Sequence, residues 1–269
     1  MDLEKLSTRA KSVRRKIIEL VYQAKASHVG CSLSVTDILV ALYFEVMNID
    51  PKNPNDSDRD RMILSKGHSI SALYAVLAAR GFFPEEKLQE YGKDNTSLAS
   101  HGVRGAVPGI EVSTGSGGHG LSLGAGMALA LKGAKSNARV FVVSGDGEMA
   151  EGSAWEAITF AGFHELSNIT LVIDHNNLQD GQDGLRAEEV LDLNPFADKL
   201  RAFHWDVEEI DGHNFEELVT AMNKKGERPQ AIIASTKKGR GVSFMEDEPE
   251  WHGKSPSEEE YTMALKELS

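Results

Sequence analysis

The chain has 269 residues, 41% of them hydrophobic and 26% charged, with a net charge of −12. That length and balance suit a folded protein with a sizeable core, and the acidic surplus argues against nucleic acid or an anionic membrane as partner, since both reward dense positive surface. The lone cysteine, Cys31, excludes an internal disulfide framework; with no apolar signal core after Met1 and no uncharged stretch long enough to span a bilayer, the protein is expected in the cytoplasm.

Apolar residues at Leu3, Leu6, Ala10, Val13, Ile17, Leu20 and Ala24 alternate steps of three and four, which predicts an amphipathic first helix. Its basic residues, among them Arg14 and Arg15, read as a solvated face. Ser34 or Thr36 is a candidate cap for a second helix running to about Met47, and Pro51 to Asp60 reads as a polar loop. A short strand is expected at Arg61 to Ser65 and a helix at Ile70 to Arg80, stopped by Gly81. The tract Gly115 to Gly126 opens a helix reaching Lys132. Strand 139–144, helix 153–164 and strand 169–174 then form a βαβ unit. A helix near Pro195 to Phe203, a strand near Val207 to Ile210, a helix near Phe215 to Lys225 and a strand near Ala231 to Ser235 continue the alternation. Ser257-Glu258-Glu259-Glu260 resembles a capping box for a last helix. The fold class is therefore α/β, with a mostly parallel sheet and helices on both faces. No internal repeat or low-complexity linker interrupts it. Residues 1–269 read as one domain, with a loop and C-terminal helix extension at about 237–269.

One long-range signature stands out: Gly145-Asp146-Gly147, then 28 residues, then Asn176-Asn177. Each part follows an apolar strand, so both loops fall at the carboxyl ends of strands, where ligands of such sheets bind. Magnesium takes six oxygens, few of them from protein. Asp146 offers a carboxylate, Asn176 an amide oxygen, and Leu178 a backbone carbonyl. Gly145 and Gly147 leave the backbone open to phosphate oxygens. Gly-Asp-Gly by itself is better explained by a tight turn with Asp146 as cap. The distant Asn pair, also placed after a strand, tips the reading towards a metal and a diphosphate.

The signature resembles the thiamine diphosphate motif, and further segments make the chain similar to the transketolases. These are Ser27-His28-Val29-Gly30, Ser65-Lys66-Gly67-His68, Leu73-Tyr74, Ser113-Thr114-Gly115, Glu151-Gly152, Glu156-Ala157, Lys238-Gly239-Arg240-Gly241-Val242-Ser243 and Trp251-His252-Gly253. They occur in the family's order over nearly the whole chain. The resemblance implies a thiamine-diphosphate-binding fold of the diphosphate-binding (PP) type. It implies Asp146, Asn176 and the Leu178 carbonyl as holders of Mg2+, or of Ca2+ or Mn2+, and Gly145 and Gly147 beside the diphosphate. His68 and His252 match residues near the diphosphate and the reacting centre, and His28 and His101 match histidines of the substrate channel. Gly115 matches a glycine against the aminopyrimidine, and Glu151 an acid linking paired active sites. Imidazoles suit proton movement on sugar hydroxyls near neutral pH. His164, His204 and His213 carry no such role and read as packed or surface residues. His119 and His175 adjoin motifs without a transferable role. Cys31 and Trp251 read as packing residues. The chain departs from the family at Gly117 and His119, where an apolar residue and Gln are usual, and at Asp180, where an apolar residue is common. Gly117 gives the loop freedom and removes a wall.

In the family, the glutamate at the cofactor's ring nitrogen belongs to a second, pyrimidine-binding domain, as do most groups that hold the sugar phosphate. This chain ends shortly after Trp251-His252-Gly253, where the family's first domain ends. The resemblance therefore implies the N-terminal subunit of a split transketolase, which forms an α2β2 heterotetramer with a C-terminal subunit and moves a two-carbon ketol unit between sugar phosphates. Two alternatives stand beside it. One is the α subunit of a 2-oxoacid dehydrogenase, which shares the signature but lacks the Lys66-Gly67-His68 and Trp251-His252-Gly253 pattern. The other is a non-catalytic cofactor-binding subunit.

Overall fold

The computed structural model of the chain describes residues 1–178 and 186–269, so Asp180 lies outside the described residues. Among these, β1 (Arg61–Leu64), β2 (Val140–Gly145), β3 (Ile169–His175), β4 (Asp206–Asp211) and β5 (Gln230–Ser235) form one sheet in the order β1-β2-β3-β5-β4. Every pairing is parallel; Val140 sits opposite Ile169, and Thr170 opposite Gln230. The three inner strands are apolar on both faces, as a sheet covered on both sides requires. Edge strand β4, with the sequence Asp-Val-Glu-Glu-Ile-Asp, is largely exposed, and its charges discourage pairing with another chain.

Alternation along the strands divides the apolar side chains into two cores. Met62, Leu64, Phe141, Val143, Val172, Ile232 and Ala234 point to one face. There they meet α1 (Leu3–Ala24), α2 (Val29–Ser34), α3 (Thr36–Ala41), α4 (Ile70–Arg80), α9 (Phe215–Asn223) and α10 (Glu258–Glu267). Ile63, Val140, Val142, Ile169, Leu171, Ile173, Ala231 and Ile233 point to the other. They meet α5 (Gly120–Gly133), α6 (Gly152–Phe163) and α8 (Phe196–Ala202); the short α7 (Ala187–Val190) lies between β3 and α8. No helix among the described residues is long and apolar enough to cross a membrane.

The expected helices and strands appear with small shifts at their ends. Gly81 closes α4 in the left-handed region at φ 92°, and Ser257 with Glu260 forms a capping box on α10. The second helix differs. It begins at Val29 behind His28, runs as α2 and α3, and ends in a π turn at Leu42–Val46. Neither Ser34 nor Thr36 caps it. A capping hydroxyl accepts from backbone N–H, whereas these two donate: Ser34 Oγ to Asp174 Oδ2 at 2.7 Å and Thr36 Oγ1 to the Ser32 carbonyl at 2.9 Å. Arg14 is likewise not on a solvated face; it is buried and bidentate to Asp37, at 3.0 and 2.6 Å.

Candidate active site

The carboxyl ends of β1, β2, β3 and β5 open into one cleft of about 380 Å³. The ends of those strands and the segments after them supply Lys66 and His68, Gly145 to Glu148, Asn176 and Leu178, and Lys238; His28, Cys31, His101, Gly115, Gly117, Glu151 and His252 complete the lining. Every residue singled out for the site in the sequence therefore borders this one space.

Four imidazoles cluster there. The His28 ring centroid lies 5.3 Å from His68, 6.0 Å from His101 and 5.0 Å from His252, and His68 lies 5.5 Å from His252. His28 takes a left-handed backbone (φ 68°), and its N–H donates to the His252 carbonyl at 2.8 Å. That bond ties the start of α2 to the end of the Pro249–His252 turn. Burial, with the Lys66 charge beside it, pushes His68 down to about 4, so the ring is neutral at pH 7. His101 is also lowered, by burial and then by His68. Gly115 packs on His101, where a Cβ would lie 3.3 Å from the ring. At Gly67 a Cβ would come within 2.7 Å of Thr114 Oγ1 and 2.8 Å of the Gly115 nitrogen, so only glycine lets the His68 turn approach that loop.

The floor is charged. Asp174 is wholly buried at the end of β3 and accepts from Lys66 Nζ, Ser34 Oγ and Thr236 Oγ1. Burial opposes both charges of the pair. Their mutual attraction nonetheless holds Asp174 below and Lys66 above their ordinary values. Asp146 is different. It is nearly buried and pushed up, first by burial and then by the Asp174 carboxylate. Among the described residues its oxygens receive only backbone donors, Gly147 N–H at 2.8 Å and Asn177 N–H at 2.5 Å. Asn177 reaches that bond from a left-handed backbone at φ 58°.

These features fit a cation and a diphosphate. A buried carboxylate that no cationic side chain of the described residues bonds, beside a second acid, gains from a metal ion. Asn176 and Leu178 line the same cleft; Asn176 Oδ1, which accepts from Leu178 N–H at 3.1 Å, and the Leu178 carbonyl offer neutral oxygens. Among the described residues no group of three or more His, Cys, Asp or Glu is placed to hold a metal, and this oxygen set does not need one. At Gly145 a Cβ would meet nothing within 4 Å, so packing within the described chain does not demand glycine there.

Two cations escape a reading of the sequence. Lys238 is buried, and its Nζ lies 3.4 Å from the Leu178 carbonyl, to which it donates, and 3.1 Å from His252 Nδ1. Lys66 stands in a family motif that assigns it no task. Burial is the signal that marks both lysines, and sequence does not show it.

The remaining histidines stand apart. His213 Nδ1 lies 2.7 Å from Asp37 Oδ2, and its Nε2 accepts from Lys237 N–H at 2.8 Å, so it is a structural tether. His164 packs against the rings of Phe160, tilted, and Phe163, edge-on, and His119 bonds its own loop at the Gly117 carbonyl, 2.7 Å away. His175 faces a neighbouring cavity of about 440 Å³ behind Asp146. That cavity is walled by Leu191, Leu193, Pro195 and Phe196, and its Arg201 is already paired with Asp198 at 2.8 Å, so the convergent polar groups belong to the cleft. Trp251 is buried, donating to the Phe244 carbonyl at 3.1 Å, and Cys31 is buried as well.

Residues 6–268 match the family described as transketolase, thiamine diphosphate binding domain. One of the subunits of the apulose-4-phosphate transketolase of Phocaeicola vulgatus is 40% identical over 272 residues, spanning 100% of this chain and 95% of that protein. The 6-deoxy-6-sulfo-D-fructose transketolase subunit SqwG of a Clostridium species is 41% identical over 266 residues, 98% of this chain and 96% of that one. The crystal structure of transketolase from Campylobacter jejuni superposes with a TM-score of 0.92 at 28% identity, covering 100% of this chain and 43% of its own. The chain therefore belongs to the transketolase family and forms its N-terminal, thiamine diphosphate binding part.

Proposed function

We propose that the chain is the N-terminal subunit of a two-chain transketolase, forming an α2β2 heterotetramer with a C-terminal pyrimidine-binding subunit. The enzyme moves a two-carbon ketol unit from a ketose phosphate to an aldose phosphate. The observation that carries it is the convergence of four imidazoles on the cleft that also holds Asp146, Asn176 and Leu178. The relatives named as transketolase subunits, matched over 95% and 96% of their length, support the division into two chains. Residues 1–269 then act as one diphosphate-binding domain, with 237–269 as an extension that brings Lys238 and His252 to the cleft. A cytoplasmic setting suits the buried thiol of Cys31.

In this reading Asp146, Asn176 and the Leu178 carbonyl hold Mg2+, and Gly145 and Gly147 admit the diphosphate oxygens. Thiamine diphosphate supplies, when bound, the carbon nucleophile that accepts and hands on the two-carbon unit. Lys238 and Lys66 offset the anion's charge without surrendering their burial. His68, neutral at pH 7, and His252, beside Lys238, flank the reacting centre as hydrogen-bonding groups. His28 and His101 meet the sugar hydroxyls. Gly115 lies against the aminopyrimidine, and Glu151 joins the network between paired sites.

The test is ketol transfer with thiamine diphosphate and magnesium, measured with and without the C-terminal subunit. Turnover is expected only in the mixture; robust turnover by this chain alone refutes the two-chain reading. Oxidative decarboxylation of a 2-oxoacid by the mixture would refute ketol transfer itself.

A further inference from the structure

Glu148, at the turn after Asp146, lines the cleft but turns its carboxylate towards the chain itself, gathering donors from three separate segments. Oε1 accepts from Ser65 Oγ, past the end of β1, and from Gly118 N–H at 2.8 Å, in the glycine-rich loop ahead of α5. Oε2 accepts from Ser144 Oγ at 2.9 Å and from Gly145 N–H at 3.4 Å, at the end of β2. Ser65 Oγ in turn accepts from Gly120 N–H at 3.1 Å, the first residue of α5. Each segment leads into part of the proposed cofactor site: Lys66 and His68 after β1, Asp146 and Gly147 after β2, Gly115 and Gly117 in the loop.

The loop needs such a clamp. Residues 115–120 read Gly-Ser-Gly-Gly-His-Gly, so four of the six positions have little conformational preference of their own. Gly118 sits at φ +75°, and a Cβ there would lie 2.5 Å from Ser153 Oγ. Its carbonyl accepts from that Ser153 hydroxyl at 2.9 Å, so the residue is held from both sides. Gly117 lies over Glu148 and Glu151, with room for a methyl group at 3.7–3.8 Å. No side chain of the tract wedges it in place. Hydrogen bonds to its backbone do.

We propose that Glu148 is a positioning residue that fixes the glycine-rich loop as one wall of the cofactor cleft, acting through the Gly118 amide and the Ser65–Gly120 link. This rests on the proposed cofactor site. It acts on cofactor affinity rather than on the transfer step, because Glu148 spends its acceptor sites on donors within the chain. Ordering the loop before the cofactor arrives lowers the cost of binding.

The test is E148Q, isosteric but with an NH2 in place of one acceptor oxygen, which then faces a donor of the chain. In the full chain, amide exchange at residues 117–120 is expected to quicken about 10-fold, the loss of one charge-assisted hydrogen bond, while β2 and β3 keep their protection. In the two-chain enzyme, the KM for thiamine diphosphate is expected to rise by a similar factor of about 10, with kcat at saturating cofactor within about 2-fold of the unaltered protein. S65A, which removes one donor, should shift both quantities the same way and less. Unchanged exchange at 117–120 in a folded E148Q overturns the proposal, as does a fall in kcat with KM unmoved. Exchange needs no cofactor. Failure of the unaltered two-chain enzyme to bind thiamine diphosphate would instead refute the proposed function.

Discussion

Both ends of the sheet carry a buried acid paired with a base, and the two ends use it differently. At the amino ends of the strands, Asp60 accepts from Arg139 N–H at 2.7 Å, from its guanidinium at 2.9 and 3.2 Å, and from Asn48 N–H at 2.9 Å. Arg139 also donates to the carbonyls of Val46 and Met222, at 2.6 and 3.2 Å. That pair closes on itself and staples the β1 loop to β2 and α9. At the carboxyl ends, Lys66 and Asp174 are buried more deeply. Beside them Asp146 has only backbone partners among the described residues, and Lys238 reaches the carbonyl of Leu178, a residue that lines the open cleft. A structural ion pair ties off its bonding capacity inside the chain. A binding site leaves capacity pointing at a space. Burial and charge are common to both ends, so neither by itself separates scaffold from site.

Substitutions at the two ends should therefore part company. Asp146→Ala should abolish metal-dependent thiamine diphosphate binding by the two-chain enzyme, by at least about 1,000-fold, or about 4 kcal/mol. It should not lower the unfolding midpoint, because it removes a carboxylate that burial and Asp174 disfavour. Titration calorimetry with Mg2+ checks the first and thermal unfolding the second; binding kept within 10-fold would erase the distinction. Asp60→Ala should do the reverse. Leaving Arg139 unpaired is expected to cost about 3 kcal/mol in urea unfolding, at the lower end for a buried pair because the Arg139 side chain is 26% exposed. Cofactor affinity should stay within about 2-fold of the unaltered enzyme.

The histidines sharpen the same contrast. His68 has a folded value of about 4, against about 6.5 unfolded. Between those values the unfolded chain binds more protons, so stability is lost as the pH falls from 6.5 towards 4. The loss attributable to His68 should be about 2 kcal/mol after allowing for its partial exposure, and H68Q should flatten that part of a urea-unfolding pH series. An unchanged slope in H68Q would mean that the ring is not desolvated as its surroundings imply. His213, already satisfied on both nitrogens, should show the smallest effect. H213Q is expected to cost about 1 kcal/mol of stability, read in urea.

Much of this architecture was legible in the residues. The βαβ unit, the parallel sheet and the last capping box follow from apolar periodicity and caps, which are local. The start of the second helix was not legible, because Ser34 and Thr36 look like caps until Asp174, 140 residues away, is seen to take the Ser34 hydroxyl. The site was half legible. Asp146, Asn176 and four histidines stood out by spacing and by resemblance to a family. Lys66, Asp174, Lys238 and Glu148 did not, since a charged residue reads as surface until its distant partners are known; Lys66 and Asp174 are 108 residues apart. The glycine-rich tract shows the opposite error. Its composition implies freedom, and the structure holds it by a hydrogen bond that Gly118 N–H gives to Glu148 and by bonds from Ser153 and His119 to its carbonyls.

The most direct measurement is a crystal structure of this chain with its C-terminal partner, thiamine diphosphate and Mn2+, the ion located by its anomalous signal. The expected peak lies among Asp146 Oδ, Asn176 Oδ1 and the Leu178 carbonyl, with Lys238 and His252 beside the diphosphate. A peak elsewhere, or a diphosphate bound outside this cleft, would contradict the assignment.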